Sequence, residues 1–171
     1  YIYLPRGNST STFFRYSISA NSWTTLTAMP GNTTNSGVII RNDLDDEIYV
    51  LAAAGTNGFF KYSSSSNSWQ GSAVSVISAL PSVVGTAGTM IRNGADDDIY
   101  VLQGDGRTGF YKHSISANSW TTLSSTPAAI SVTGAMIRNG SDNDIYVLQG
   151  GSATVFYKYS ISDDSWTTLA A

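Results

Sequence analysis

The chain has no cysteine, a single histidine and little charge. Only 12% of its 171 residues are Asp, Glu, Lys or Arg, roughly half the usual share. Without cysteine there is no disulfide and no thiolate metal site. With His113 as the only histidine, a His-based zinc centre lacks ligands. A Ser-His-Asp triad would have one conceivable base, and no Gly-x-Ser-x-Gly stands ahead of a helix. Nine Lys and Arg against twelve Asp and Glu leave a net charge of −3 and a pI of about 4.8. No basic stripe is present, which disfavours nucleic acid and anionic membranes as partners. No apolar run approaches the roughly 20 residues that span a bilayer as a helix. No stretch of ten residues carries a helical period either.

Ser, Thr, Asn and Gly fill the place of the missing charges, a polar but uncharged surface that predicts an extracellular or cell-surface setting. Apolar residues make up 42% of the chain, with ten tyrosines among them, enough for a core. They are arranged periodically. Ile-Tyr-Val-Leu recurs at Ile48–Leu51, Ile99–Leu102 and Ile145–Leu148, and as Ile-Tyr-Leu at Ile2–Leu4. Trp23, Trp69, Trp120 and Trp166 each follow, by 20 residues, one of Tyr3, Tyr49, Tyr100 and Tyr146. Successive tryptophans are 46, 51 and 46 residues apart. Self-similarity at this period marks a repeat architecture.

The third unit illustrates the local reading. Gly88–Arg92 is a short apolar run ending at Asn93-Gly94, a pair suited to the positive φ of tight hairpins. The β-branched and aromatic Ile99–Leu102 and Phe110–Ile115 follow, the first broken by Gln103-Gly104-Asp105-Gly106 and the second by Ala117-Asn118-Ser119. Trp120–Leu123 is the fourth strand. Four short antiparallel strands per unit, repeated, predict the blades of an all-β propeller. The blades run approximately over 1–31, 32–78, 79–128 and 129–171. The first-strand pattern occurs three times and the others four times each, so 15 strands are expected and the first blade lacks its first strand. The chain opens inside a strand pattern, which predicts a trimmed form or part of a longer array. Ser17–Leu26 recurs unchanged at Ser114–Leu123, as duplication of blade pairs would leave it.

These residues resemble the kelch family of propellers. Its repeat carries an Ile-Tyr-Val strand, a Gly-Gly pair, a Tyr, and a Trp seven residues after that Tyr. Tyr16/Trp23, Tyr62/Trp69, His113/Trp120 and Tyr159/Trp166 match, as does Ala28-Met29-Pro30 after the first Trp. The Gly-Gly pair is retained at Gly150-Gly151, against Ala54-Gly55 and Gln103-Gly104. The resemblance spans essentially the whole chain. It implies a propeller fold and binding rather than catalysis, because the family's repeat motif is structural.

Candidate sites follow from what repeats and what does not. Nine of the twelve acids lie in equivalent turns, including Asp43, Asp45, Asp96, Asp98, Asp142 and Asp144. Clustered carboxylates suit a hard cation such as Ca²⁺, but the spacing matches no EF-hand, and Asp belongs in such turns on conformational grounds. Arg41, Arg92 and Arg138 form one repeat position; Arg15, Lys61, Lys112 and Lys158 form another. Residues recurring in every blade bridge strands or blades rather than do chemistry once. Asp105 and Arg107 break the symmetry from a loop and are the candidate ligand contacts. Trp23, Trp69, Trp120 and Trp166, with Tyr49, Tyr100 and Tyr146, are expected as blade-core residues, the tryptophans alternatively as sugar-stacking platforms. No cofactor is expected. The leading functional expectation is a non-enzymatic extracellular scaffold that joins copies of itself or continues into adjacent repeats by blade completion, the missing first strand being added by another chain or another part of the same chain. A lectin-like glycan binder and the propeller of a carbohydrate-active enzyme are the alternatives.

Overall fold

The computed structural model describes residues 1–33, 37–42, 46–52, 57–70, 77–86, 88–94, 96–140 and 143–169. Fifteen strands form four antiparallel sheets, with no helix among the described residues. The first sheet holds β1 (Ile2–Pro5), β2 (Phe13–Ser17) and β3 (Ser22–Thr25). The second holds β4 (Val38–Arg41), β5 (Glu47–Ala52), β6 (Gly58–Ser63) and β7 (Ser68–Gln70). The third holds β8 (Thr89–Asn93), β9 (Asp98–Leu102), β10 (Phe110–Ser114) and β11 (Ser119–Thr122). The fourth holds β12 (Ala135–Arg138), β13 (Ile145–Leu148), β14 (Phe156–Ser160) and β15 (Ser165–Leu169). Every sheet is a meander in chain order, three-stranded in the first blade and four-stranded in the others.

The repeat period reappears as register. Ile2 faces Tyr16, Ile48 faces Tyr62, Ile99 faces His113 and Ile145 faces Tyr159. Because side chains alternate along a strand, each Ile-Tyr-Val-Leu strand has two apolar faces. Ile48 and Val50 point one way into a cluster with Phe13, Met29 and Tyr62; Tyr49 and Leu51 point the other way into a cluster with Met90, Ile99 and Val101. Strands buried on both faces read as continuous apolar runs, and β5 and β9 do so. The core is thus divided into three layers, between the first and second, second and third, and third and fourth blades. No cluster of described residues joins the fourth blade to the first. The inner strands β4, β8 and β12 approach one another, so first strands line the inside of an arc and tryptophan strands its outside.

The turns depart from expectation in one detail. The left-handed residue of the turn between first and second strands is the acid or amide just before the second strand, with φ of 59° at Asp46, 60° at Asp97 and 61° at Asn143. Gly94 does not carry it. Asp and Asn tolerate that conformation better than other non-glycine residues, which gives the acidic clusters a conformational reason. The hairpins before each tryptophan use Asn21, Asn67, Asn118 and Asp164 in the same way.

Candidate functional site: the blade faces

At each internal interface a phenylalanine enters a slot on the next blade. The slot is formed by the third-strand Tyr or His and the fourth-strand Trp. Phe13 lies 5.0 Å from both Tyr62 and Trp69; Phe59 lies 5.1 Å from His113 and 5.0 Å from Trp120; Phe110 lies 4.9 Å from Tyr159 and 5.1 Å from Trp166. All six contacts are edge-to-face, the arrangement favoured by the ring quadrupole. Each Trp N–H also donates to a main-chain carbonyl of the linker leaving the preceding blade: Trp69 to Thr27 at 2.9 Å, Trp120 to Ser78 at 2.6 Å, Trp166 to Ser124 at 2.8 Å. The turn residue completes the joint. Asn67 Oδ1 accepts from Tyr62 and from the Thr27 amide, and Asp164 Oδ1 accepts from Tyr159 and the Ser124 amide. Burial pushes the Tyr159 hydroxyl up, with the Asp164 hydrogen bond adding to it; it therefore stays a donor.

Trp69, Trp120 and Trp166 are half-buried rather than sealed in a blade core, because they sit on the outermost strand and are covered only from the preceding blade. Tyr49 and Tyr100 are buried, while Tyr146, on the outward face of the fourth blade, is half-buried.

The two outward faces of the arc carry the same residues without the covering blade. On the first blade Ile2 is 52% exposed, Leu4 46% and Trp23 57%, whereas Ile48 and Val50, their strand equivalents one blade on, are 1% and 0% exposed. Leu4, Phe14 and Trp23 line an apolar groove of about 240 Å³. On the fourth blade Ile137 and Leu148 are 59% and 40% exposed, and Phe156 is half-buried where Phe13, Phe59 and Phe110 are buried. A larger cavity, about 350 Å³, lies between β1 and the linker into β4, lined by Arg6, Asn8 and Thr33 among others.

The acids and bases pair with each other inside single blades. Arg92 holds Asp97 at 2.5 Å, Lys112 holds Asp98 at 2.9 Å, Lys158 holds Asp144 at 2.5 Å, and Arg41 pairs with Asp46. Asp96 accepts from the Tyr100 hydroxyl and the Asp98 amide. Asp43, Asp45 and Asp142 lie outside the described residues. Among the described residues no three His, Cys, Asp or Glu come together as a metal cluster. The basic repeat positions brace strands and turns within a blade; none of these four pairs crosses between blades.

Asp105 and Arg107 share the loop between β9 and β10 and lie 3.8 Å apart, both partly exposed. That loop is clamped to its neighbours: Arg107 forms a backbone bridge with Ile130, and Gly85 donates to the Gln103 carbonyl. Gly85 is glycine for a steric reason, since a Cβ there would fall 1.9 Å from Asp105 Cβ. The two residues hold linkers in place as much as they present groups to solvent. His113 occupies the Tyr position of its blade and is buried between Phe59 and Trp120. Burial holds its pKa below the usual imidazole range, partly offset by Asn118 and Asp98, and Lys61 lowers it further.

Comparison with known proteins separates fold from function here. No family model matches the chain, and no curated protein does. Among solved structures it is similar to the structure of YjhT, with a TM-score of 0.72 at 15% identity over 98% of this chain. The fold is a β-propeller. The chain spans 61% of the length of that neighbour.

The face asymmetry was missed from sequence. The signal available was that the Tyr-Trp slot occurs four times and is preceded by a Phe-bearing blade only three times.

Proposed function

We propose that this chain is a non-enzymatic interaction and scaffold module of the extracellular or cell-surface kind. Its working surfaces are the two open blade faces, which take further blades supplied by other copies or by adjacent repeats. The observation that carries this reading is the contrast between Ile2, Leu4 and Trp23, all exposed, and their buried counterparts on the inner blades. Contiguous exposed apolar surface of this kind marks interaction sites, and uncovered sheet edges invite pairing. A lectin reading has less support, because Trp69, Trp120 and Trp166 already use ring and N–H between blades, leaving no equivalent platform in each blade.

Light scattering on a sizing column tests it across micromolar concentrations. Masses at multiples of 18.2 kDa, rising with concentration, are expected. A well-folded chain that stays at 18.2 kDa throughout would remove self-association from the proposal.

A further inference from the structure

The two open faces are the separated halves of one joint. We infer that copies of this chain associate head to tail, with Phe156 of one copy seated in the Tyr16–Trp23 slot of the next. This rests on the scaffold reading above and names its partner as a second copy.

Both halves are already set in the geometry that the internal joints use. On the inserting side, Tyr146 and Phe156 stack at 5.6 Å and 23°, as Tyr49 and Phe59 do at 5.7 Å and 26°. On the receiving side, Tyr16 and Trp23 lie at 5.0 Å and 46°, as Tyr62 and Trp69 do at 5.0 Å and 53° and Tyr159 and Trp166 at 4.9 Å and 48°. Tyr16 already donates to Asn21 Oδ1 at 2.6 Å, the bond that Tyr62 makes to Asn67 and Tyr159 to Asp164. The next bond in each internal joint is a linker amide into that same oxygen. Asn21 Oδ1 accepts no such amide among the described residues, and Trp23 Nε1 donates no hydrogen bond among them. The groove beside Trp23 is walled by Leu4 and Phe14, the side from which Phe13, Phe59 and Phe110 enter the following blade. The same joint occurs three times within the chain, so the face that fits the first blade is the outward face of the fourth. Preorganised halves lose little freedom on joining. A joint between unlike faces is heterologous: it closes into a ring if the rotation permits, and otherwise extends as a filament.

A two-variant mixing experiment tests the pairing. Leu4→Arg blocks the receiving face and Leu148→Arg the inserting face; Ile2→Arg and Ile137→Arg form a second pair at more exposed positions of the same two faces. Circular dichroism and a cooperative melt confirm the fold of each. Head-to-tail pairing requires each variant alone to be monomeric and the equimolar mixture of the two to form a 1:1 dimer. Phe156→Ala should weaken wild-type association roughly 30-fold or more, as loss of a buried aromatic anchor does. If the wild type associates but either single variant still self-associates, or the two monomeric variants fail to dimerise when mixed, the pairing is overturned while the scaffold reading stands. A wild type that never associates overturns both.

Discussion

Ile2 and Ile48 occupy the same register position on equivalent strands, and their surroundings differ completely. Ile48 packs against Phe13 and Met29 of the preceding blade, while Ile2 meets solvent. Each strand is paired in register with the strand carrying its Tyr, β1 as a sheet edge and β5 between two partners. Backbone pairing therefore builds a blade, and blade stacking buries it. Burying such an aliphatic side chain is worth about 1.5–3 kcal/mol, so the interfaces, rather than the sheets, carry most of the cohesion of the arc. A propeller segment of this kind gains stability by addition of neighbours, like other repeat proteins.

The largest test of this contrast compares two phenylalanines at one repeat position. Phe110→Ala removes a fully buried ring from between two blades and should cost about 3–5 kcal/mol. Phe156→Ala, on the open face, should cost the monomer less than about 1 kcal/mol. Urea unfolding at a concentration that keeps the chain monomeric reads both. Similar losses at the two positions would mean that the blade itself, not the interface, supplies the stability.

A second pair sharpens the comparison at the rim. Trp120→Ala loses ring packing against Phe59 and the hydrogen bond to Ser78, for an expected loss of about 2 kcal/mol given its half-buried position. Trp23→Ala should cost roughly 0.5 kcal/mol in the monomer, and it should abolish any concentration dependence of tryptophan fluorescence. Thermal melts at two concentrations distinguish the two effects.

His113 offers a smaller and pH-dependent contrast, because three blades carry Tyr where the third carries His. Its folded pKa lies below the unfolded value of about 6.5, chiefly through burial. Between those two values the unfolded chain binds more protons, so stability rises with pH there. The third-blade joint is therefore fully stable above about pH 6.5 and weakens as pH falls below it. His113→Tyr should flatten the dependence of Tm on pH between about 7 and 5. A variant that loses stability on acidification as steeply as the wild type would assign the effect elsewhere.

The blade architecture was legible because period, strand chemistry and turn chemistry agree at every level. The Tyr-to-Trp spacing and the three occurrences of the first-strand pattern led to 15 strands in four sheets, as observed. The interfaces were not legible in the same way. Alternation shows that Ile48 and Tyr49 face opposite ways, but not which blade each meets. Nor does it tell that tryptophans on an outermost strand are covered from one side only. Asp105 and Arg107 stood out by breaking the repeat, yet their loop is defined by contacts to linkers distant in sequence, such as Gly85 and Ile130.

The last contrast concerns the acidic turns. Asp98 is buried beside Lys112, whose ammonium is 2.9 Å away and whose side chain is about two-thirds covered. Lys112→Met keeps the aliphatic stem and removes the charge. It should cost about 1 kcal/mol, since the lysine end of the pair is still partly exposed to solvent, and raising NaCl to about 1 M should erode only part of the difference, because a largely buried pair is screened much less than an exposed one. Asp144 and Lys158 repeat the pair one blade on, so the double variant should lose about twice as much if each brace acts only within its own blade. Calcium makes the competing case measurable: if these turns exist to hold a divalent cation, millimolar CaCl₂ should raise Tm and the Lys112 variant, freed of a resident cation, should gain most. If they exist to anchor hairpins through left-handed Asp and Asn residues, Tm should not respond to calcium in either protein.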